Sequence, residues 1–430
     1  MNLRIVSTLV ACSLTAMLSA QVSSTLSPYS QFGLGALADQ SQGFNRGMGG
    51  VGIGLRGGQT VNFKNPASYS ATDSLTMLFD VGASLQTTNF KEGGKRINAN
   101  TGSFDYAVVM FRLLPKVGVS LGIVPFSNVG YKYSVTESVN GSSTNYSTLS
   151  YNGSGGLSQG YVGVGWEFFS GLSAGVNFSY LWGSFERTAQ VVNSDAYVNT
   201  ETQTYQTTIS SYKLDLGLQW RKQLNADNTL TVGATVGIGH NLGNQADCVR
   251  TNSNSQTAVS ETHTDSVADA MSLPTTLGVG VTLVHRNSLT VGFDYEYQRW
   301  GTLDYPHLDT RTSGYTLQSG LLKDRHVVRA GADWVPNPMN RRLYNRIHYR
   351  AGISYATPYF NVGSSDGPRE LTIGAGFGIP LTNSWNNRSL LNVSAQWVNQ
   401  ARSGLITENG FRINIGLTFN ERWFAKWKVD

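Results

Sequence analysis

Two matches to Gly-x-Ser-x-Gly, Gly156 to Gly160 and Gly171 to Gly175, first suggest reaction chemistry, with Ser158 and Ser173 as nucleophiles. A nucleophile elbow needs a strand, a sharp turn and a helix. Ser158 stands at the start of an alternating segment and Ser173 at the exit of a tight turn, so neither has that frame. The six histidines, 240, 263, 285, 307, 326 and 348, are scattered without paired metal-ligand spacing. The glycine-rich run Gly47-Met48-Gly49-Gly50-Val51-Gly52-Ile53-Gly54 invites comparison with a dinucleotide loop. That loop needs a preceding strand and a following helix, and neither is written around it. The expectation is a chain that is not an enzyme and has no cofactor and no metal site.

The elements that must position these residues are strands. The chain has 430 residues, 14% of them charged, with 48 glycines. Mean hydropathy is −0.20. A typical soluble domain is about 25% charged. Beyond the N-terminus there is no apolar run of about 18 residues, which excludes a helical membrane protein. After residue 73 the sequence alternates. Phe411, Ile413, Ile415, Leu417 and Phe419 share one face, with Arg412, Asn414, Gly416 and Thr418 on the other. Tyr212, Leu214, Leu216, Leu218 and Trp220 repeat the pattern, as do Leu172 to Trp182. Successive strand side chains point to opposite faces, so each segment has one apolar and one polar face.

Segment length separates a membrane barrel from a soluble sandwich. A tilted membrane strand needs about 9–11 residues, against about 5–6 in a globular sheet. Fourteen segments qualify: 74–87, 103–113, 117–137, 156–169, 172–187, 204–222, 228–242, 272–284, 288–300, 322–336, 346–358, 369–380, 388–400 and 410–420. Trp166, Phe168, Trp182, Trp220, Trp300 and Trp334 lie near segment ends, as interfacial girdles require. Stretches 87–103, 187–204, 242–272 and 300–322 read as long polar outer loops, while Leu114-Pro115, Ser170-Gly171 and Arg286-Asn287 read as short inner turns. The fold class is therefore all-β: a transmembrane antiparallel β-barrel of about fourteen strands in the outer membrane of a Gram-negative bacterium. An unpaired edge is prohibitive in lipid, so the sheet must close.

The same alternation turns charges inward. Asp294 and Glu296, Arg329 and Asp333, and His348 and Arg350 oppose the apolar positions of the ninth, tenth and eleventh strands. They predict a mixed-charge cluster on one luminal wall, either structural pairing or a site for a polar substrate group. Pro125 falls inside the third strand, followed by Phe126. Proline cannot donate to the ladder, which predicts a kink, a bulge or an interruption there.

The first 38 residues carry a single charge, Arg4. An apolar stretch, Ile5 to Leu18, ends in Leu18-Ser19-Ala20, so residues 1–20 read as a secretory signal peptide. The lipobox-like Leu9-Val10-Ala11-Cys12 is the rival reading. Removal of residues 1–20 leaves 31 − 27 = +4 charges and one cysteine, Cys248, so no nucleic acid partner and no internal disulfide is expected. Residues 21–73 do not alternate; they read as a hatch that fills the lumen, before a barrel over 74–420. Residues 421–430 read as an aromatic and basic extension of the last strand.

The glycine-rich approach (Gly49, Gly50, Gly52, Gly54) to Asn65-Pro66-Ala67 resembles the hatch signature of FadL-like outer-membrane transporters of long-chain fatty acids and other hydrophobic compounds. Leu273-Pro274, Leu277-Gly278-Val279-Gly280 and Asp294 through Trp300 resemble that family's strand pair, and Arg329 to Trp334 with Arg350-Ala351-Gly352 its next hairpin. The resemblance implies passive uptake of a hydrophobic small molecule and lateral release through a wall gap at the kinked third strand. It also implies outer-membrane lipid as surroundings. FadL-like barrels serve as accessory subunits of protein-secretion machinery as well, which makes an envelope protein partner the alternative. Such a barrel needs no apolar path, so a polar lumen, a fixed hatch and a whole wall would mark it. The stretch 242–270 is polar where the family's outer loops collect apolar ligand.

Overall fold

The computed structural model describes residues 27–74, 76–139, 145–254, 256–309, 314–381 and 389–422. The signal-peptide and Cys12 readings, and residues 423–430 of the C-terminal extension, lie outside the described residues. Among the described residues, fourteen strands form the barrel: β1 (Thr76–Glu92), β2 (Lys95–Leu114), β3 (Val117–Ser138), β4 (Tyr146–Phe169), β5 (Leu172–Asn193), β6 (Thr200–Gln223), β7 (Asn228–Gly237), β8 (Thr276–His285), β9 (Leu289–Gln298), β10 (Arg325–Trp334), β11 (His348–Ala356), β12 (Arg369–Leu381), β13 (Ser389–Ala401) and β14 (Thr407–Arg422). Each pairs antiparallel with its chain neighbour, and β1 closes on β14 from Thr76↔Arg422 to Lys91↔Thr407. Closure removes the edges that lipid would not tolerate.

The apolar positions of the alternation form the outer belt. Phe79, Val164, Phe178, Leu218, Val279, Phe293, Ile373 and Ile415 are all exposed. Trp166 and Trp220 lie at the inner rim, at strand ends joined by short turns, Trp334 lies at the same rim where β10 gives way to a longer connection, and Trp182 stacks on exposed Tyr180 toward the outer rim. Trp300 departs from the girdle expectation. It is 1% exposed and packs on Tyr359 with ring centroids 4.8 Å apart, inside a core built from the outer segments.

The stretches expected to be long outer loops are mostly strand. β1 and β2 run out to Glu92 and Lys95 and turn on Gly93-Gly94. Ala246–Asn254 and Val259–Val267 form a hairpin that continues β7 outward and pairs with the outer part of β6. Between them, 238–245 and 268–275 leave the barrel ladder and turn inward, burying Leu242, Met271 and Leu273. Above the membrane both strand faces meet water, so polar β-formers such as Thr replace the apolar alternation that marks the spans.

Candidate functional site

Residues 27–74 lie inside the barrel, and their path explains the glycines. A Cβ on Gly416 of β14 would overlap Gly43. One on Gly352 or Gly331 would overlap the Met48 backbone, one on Gly233 of β7 the Ile53 carbonyl, one on Gly175 of β5 the Pro66 carbonyl, and one on Gly118 of β3 the Tyr69 carbonyl. The plug thus winds round the lumen from β14 to β3, seated in a ring of inward glycines. In the plug itself, Gly49 has φ +67°, and a Cβ there would stand 2.7 Å from the Ile353 nitrogen. Only glycine combines that conformation with that approach.

Polar ties complete the seat. Asp294 Oδ2 accepts from Gly52 N at 2.6 Å and Ile53 N at 2.9 Å. Asn65 caps the 3-10 turn Pro66–Ala71 by accepting from Ala67 N, and its Nδ2 donates to Ile53 O at 2.8 Å and Leu218 O at 3.2 Å. Arg46, with 3% of its side chain exposed, pairs with Asp105 at 2.6 Å, and Arg56 pairs with Glu167 at 2.7 Å. These two cross-ties, and the part the wall glycines play in seating the plug, were not read from the sequence. The signal was present: glycines recur at luminal parity on most strands.

The luminal charges divide into three groups. Glu296 pairs with Arg329 at 2.8 Å across β9 and β10. Asp333 holds His348 at 2.8 Å and lies 3.5 Å from Arg350, whose Nη1 donates to Asn392 Oδ1 at 2.6 Å. Asp294 serves the plug. Above the plug lies a cavity of about 300 Å³, which Glu296 and Arg329 border but Asp294, Asp333 and Arg350 do not. Its lining carries six acids and six bases, among them Asp39, Lys64, Asp215, Arg325, Glu370 and Arg412. Phe63, Phe104, Phe126, Tyr161 and Trp300 contribute the aromatic part.

Beside this cavity the wall splits. β2 and β3 pair only from Leu114↔Val117 to Ala107↔Ile123. Pro125 faces Ser158 and Ser127 faces Leu157, which leaves Phe126 as the extra residue of a bulge. Beyond it the free edge of β3 bonds to the plug instead: Ala36 and Leu37 pair with Asn128 and Ser127, Ala38 N donates to Phe126 O at 2.9 Å, and Gln40 Nε2 donates to Pro125 O at 2.9 Å. The split opens within the lipid-facing belt, since Phe104 is level with Ala83 and Gly102 with exposed Leu85.

Ser158 and Ser173 face a sheet partner on each side, without a histidine partner, and Ser173 is buried. Among the described residues no group of three or more potential ligands is placed to hold a metal ion. Cys248 is fully buried beside Tyr205, and burial pushes its thiol up to about 11.

A search of curated proteins returned no match. Among solved structures, the Ralstonia pickettii toluene transporter TbuX superposes with a TM-score of 0.61 at 14% identity, covering 89% of this chain and 99% of its own. The P. putida toluene transporter TodX gives 0.61 at 15% identity, covering 91% and 99%. A Pseudomonas aeruginosa FadL homologue gives 0.58 at 10% identity, covering 90% and 98%. At these identities the likeness is one of fold, and the fold is that of a FadL-like outer-membrane barrel. The BamG family model matches residues 1–430, and the chain belongs to the BamG family.

Proposed function

We propose that this barrel is an accessory subunit of an outer-membrane protein assembly and is not a conduit for apolar molecules. The observation that carries the reading is the lumen. A route for a hydrophobic solute needs a mostly apolar lining, and this one presents six acids and six bases. Each charge on such a route adds desolvation cost for a greasy ligand. The many ties between plug and wall support the same reading, as does membership of a family named apart from the hydrocarbon channels. Catalysis has no place in this proposal.

A second reading, passive uptake of a hydrophobic small molecule with lateral release, is favoured by one observation. The β2–β3 split borders the cavity through Phe104 and Phe126 and opens within the lipid-facing belt. The fold neighbours include toluene transporters, which supports it further. One pair of measurements separates the two. The barrel is purified from native outer membranes in mild detergent, and uptake of labelled toluene and oleate is compared in cells with and without the chain. The accessory reading expects a stoichiometric complex and uptake equal within about twofold. A lone barrel, with uptake several-fold higher when it is present, would overturn it in favour of transport.

A further inference from the structure

Among the described residues, the inner rim of the barrel carries one connection much longer than the rest. β2–β3, β4–β5, β6–β7 and β8–β9 are joined by two to four residues, whereas β10 and β11 are joined by 335–347. Val335 N bonds to Ser288 O of the β8–β9 turn at 2.7 Å, so the loop rises from the same rim. It is built rather than slack. Asn337 N donates to Asn345 O at 2.8 Å, Asn337 and Asn340 side chains accept from Met339 N and Arg342 N, and Leu343–Asn345 forms a 3-10 turn. This framework leaves apolar side chains exposed: Met339 is 92% exposed, Leu343 47% and Tyr344 53%. A soluble surface rarely orders such a group without a use for it.

The loop itself is basic. Arg341 is exposed and has no acid within ion-pair distance among the described residues, and Arg342 donates to Tyr344 Oη at 2.8 Å. The acids at the foot of the loop and on the turns it joins are already engaged, Asp333 with His348 and Asp227 with Arg286. Exposed Met, Tyr and Arg on a preformed backbone make the composition of an interface centre, and the uncompensated charge selects the sign of what covers it.

We propose that the loop 335–347 is a docking surface for an acidic periplasmic face of a partner protein, with Met339, Leu343 and Tyr344 as apolar anchors and Arg341 and Arg342 as the steering charges. The proposal rests on the accessory-subunit reading. An anionic lipid headgroup would meet the arginines, but an ordered apolar triad held beyond the strand ends fits a protein surface better.

The test purifies the full-length barrel from native membranes as wild type, as Arg341→Glu/Arg342→Glu, as Met339→Glu, and as the outer-loop control Lys323→Glu. Heat-modifiable mobility on gels verifies folding of each. A photoreactive residue at position 339 maps the contact. The expected result is a stoichiometric partner lost at least tenfold in the double variant and in Met339→Glu, kept in the control, released by high salt, and cross-linked from 339 through an Asp/Glu-rich segment. A partner retained equally by every variant would overturn the docking surface and leave the accessory reading standing. A wild-type barrel that purifies alone would overturn both. Loss of co-purified phosphatidylglycerol, with partner recovery unchanged, would overturn the proposal in favour of a lipid contact.

Discussion

Asp294 shows how much one side chain does in a plugged barrel. It is 0% exposed and answers two plug N–H groups, those of Gly52 and Ile53. Removing a buried partner leaves each donor desolvated, at about 1–3 kcal/mol apiece. Asp294→Ala should therefore destabilise the barrel by about 2–5 kcal/mol in urea titrations in lipid vesicles. Asp294→Asn, whose amide oxygen still accepts, should lose less than half as much, and equal losses would refute the role. Cys248 offers a second check at this scale. Its thiol is held neutral up to about 11, against an ordinary value of 9.0. A maleimide should leave it unlabelled in the folded barrel at pH 8 and label it on unfolding. Below pH 9 the thiol is protonated in both states and does not bias stability. Above it the unfolded chain releases the proton first, so stability falls as pH rises from 9 to 11.

At the scale of elements, the lipid-facing parts of all fourteen strands were legible because one face must be apolar and the other must not. The outer parts of β1, β2, β4 and β5 and the hairpin Ala246–Asn254 with Val259–Val267 were not. They stand in water on both faces, and period-two apolar patterning vanishes where nothing apolar is required. The charges of β9 to β11 were legible by parity, but their division among Asp294, Glu296 with Arg329, and Asp333 with Arg350 depends on where the plug runs. That path comes from a chain without regular periodicity. Pro125 announced an irregularity, and the structure resolves it into a bulge at Phe126, with the free edge of β3 taken up by residues 36–38. This element-level contact yields a prediction. Ala36 and Asn128 are register partners across plug and wall, which suits a disulfide. An Ala36→Cys/Asn128→Cys barrel should form one under oxidation and keep its partner complex intact when locked. Loss of the complex on oxidation, restored by dithiothreitol, would show that the plug must move.

For the whole molecule, the circumferential path of the plug means that plug and wall are one folding unit. Plug contacts run from Gly416 on β14, through Gly352, Gly331 and Gly233, to Gly118 on β3. A strand inserted out of order would find no complementary backbone, so the plug acts as a gauge for the closing barrel. The ionic cross-ties alone would not achieve this, because Arg46 with Asp105 and Arg56 with Glu167 fix two points, whereas the glycine ring fixes a circuit. Overpacking a close contact costs about 1–3 kcal/mol per site. A Gly331→Val/Gly352→Val barrel should therefore melt earlier and in two steps, where the wild type melts in one. It should also conduct ions across a planar bilayer, where the wild type stays closed. The valines favour strand structure in themselves, so a barrel with unchanged strand content by circular dichroism and a newly open lumen would place the effect on the plug. A double variant as silent and as stable as the wild type would show that the plug can retreat from β10 and β11 without cost, and the gauge would then have to reside in the polar ties.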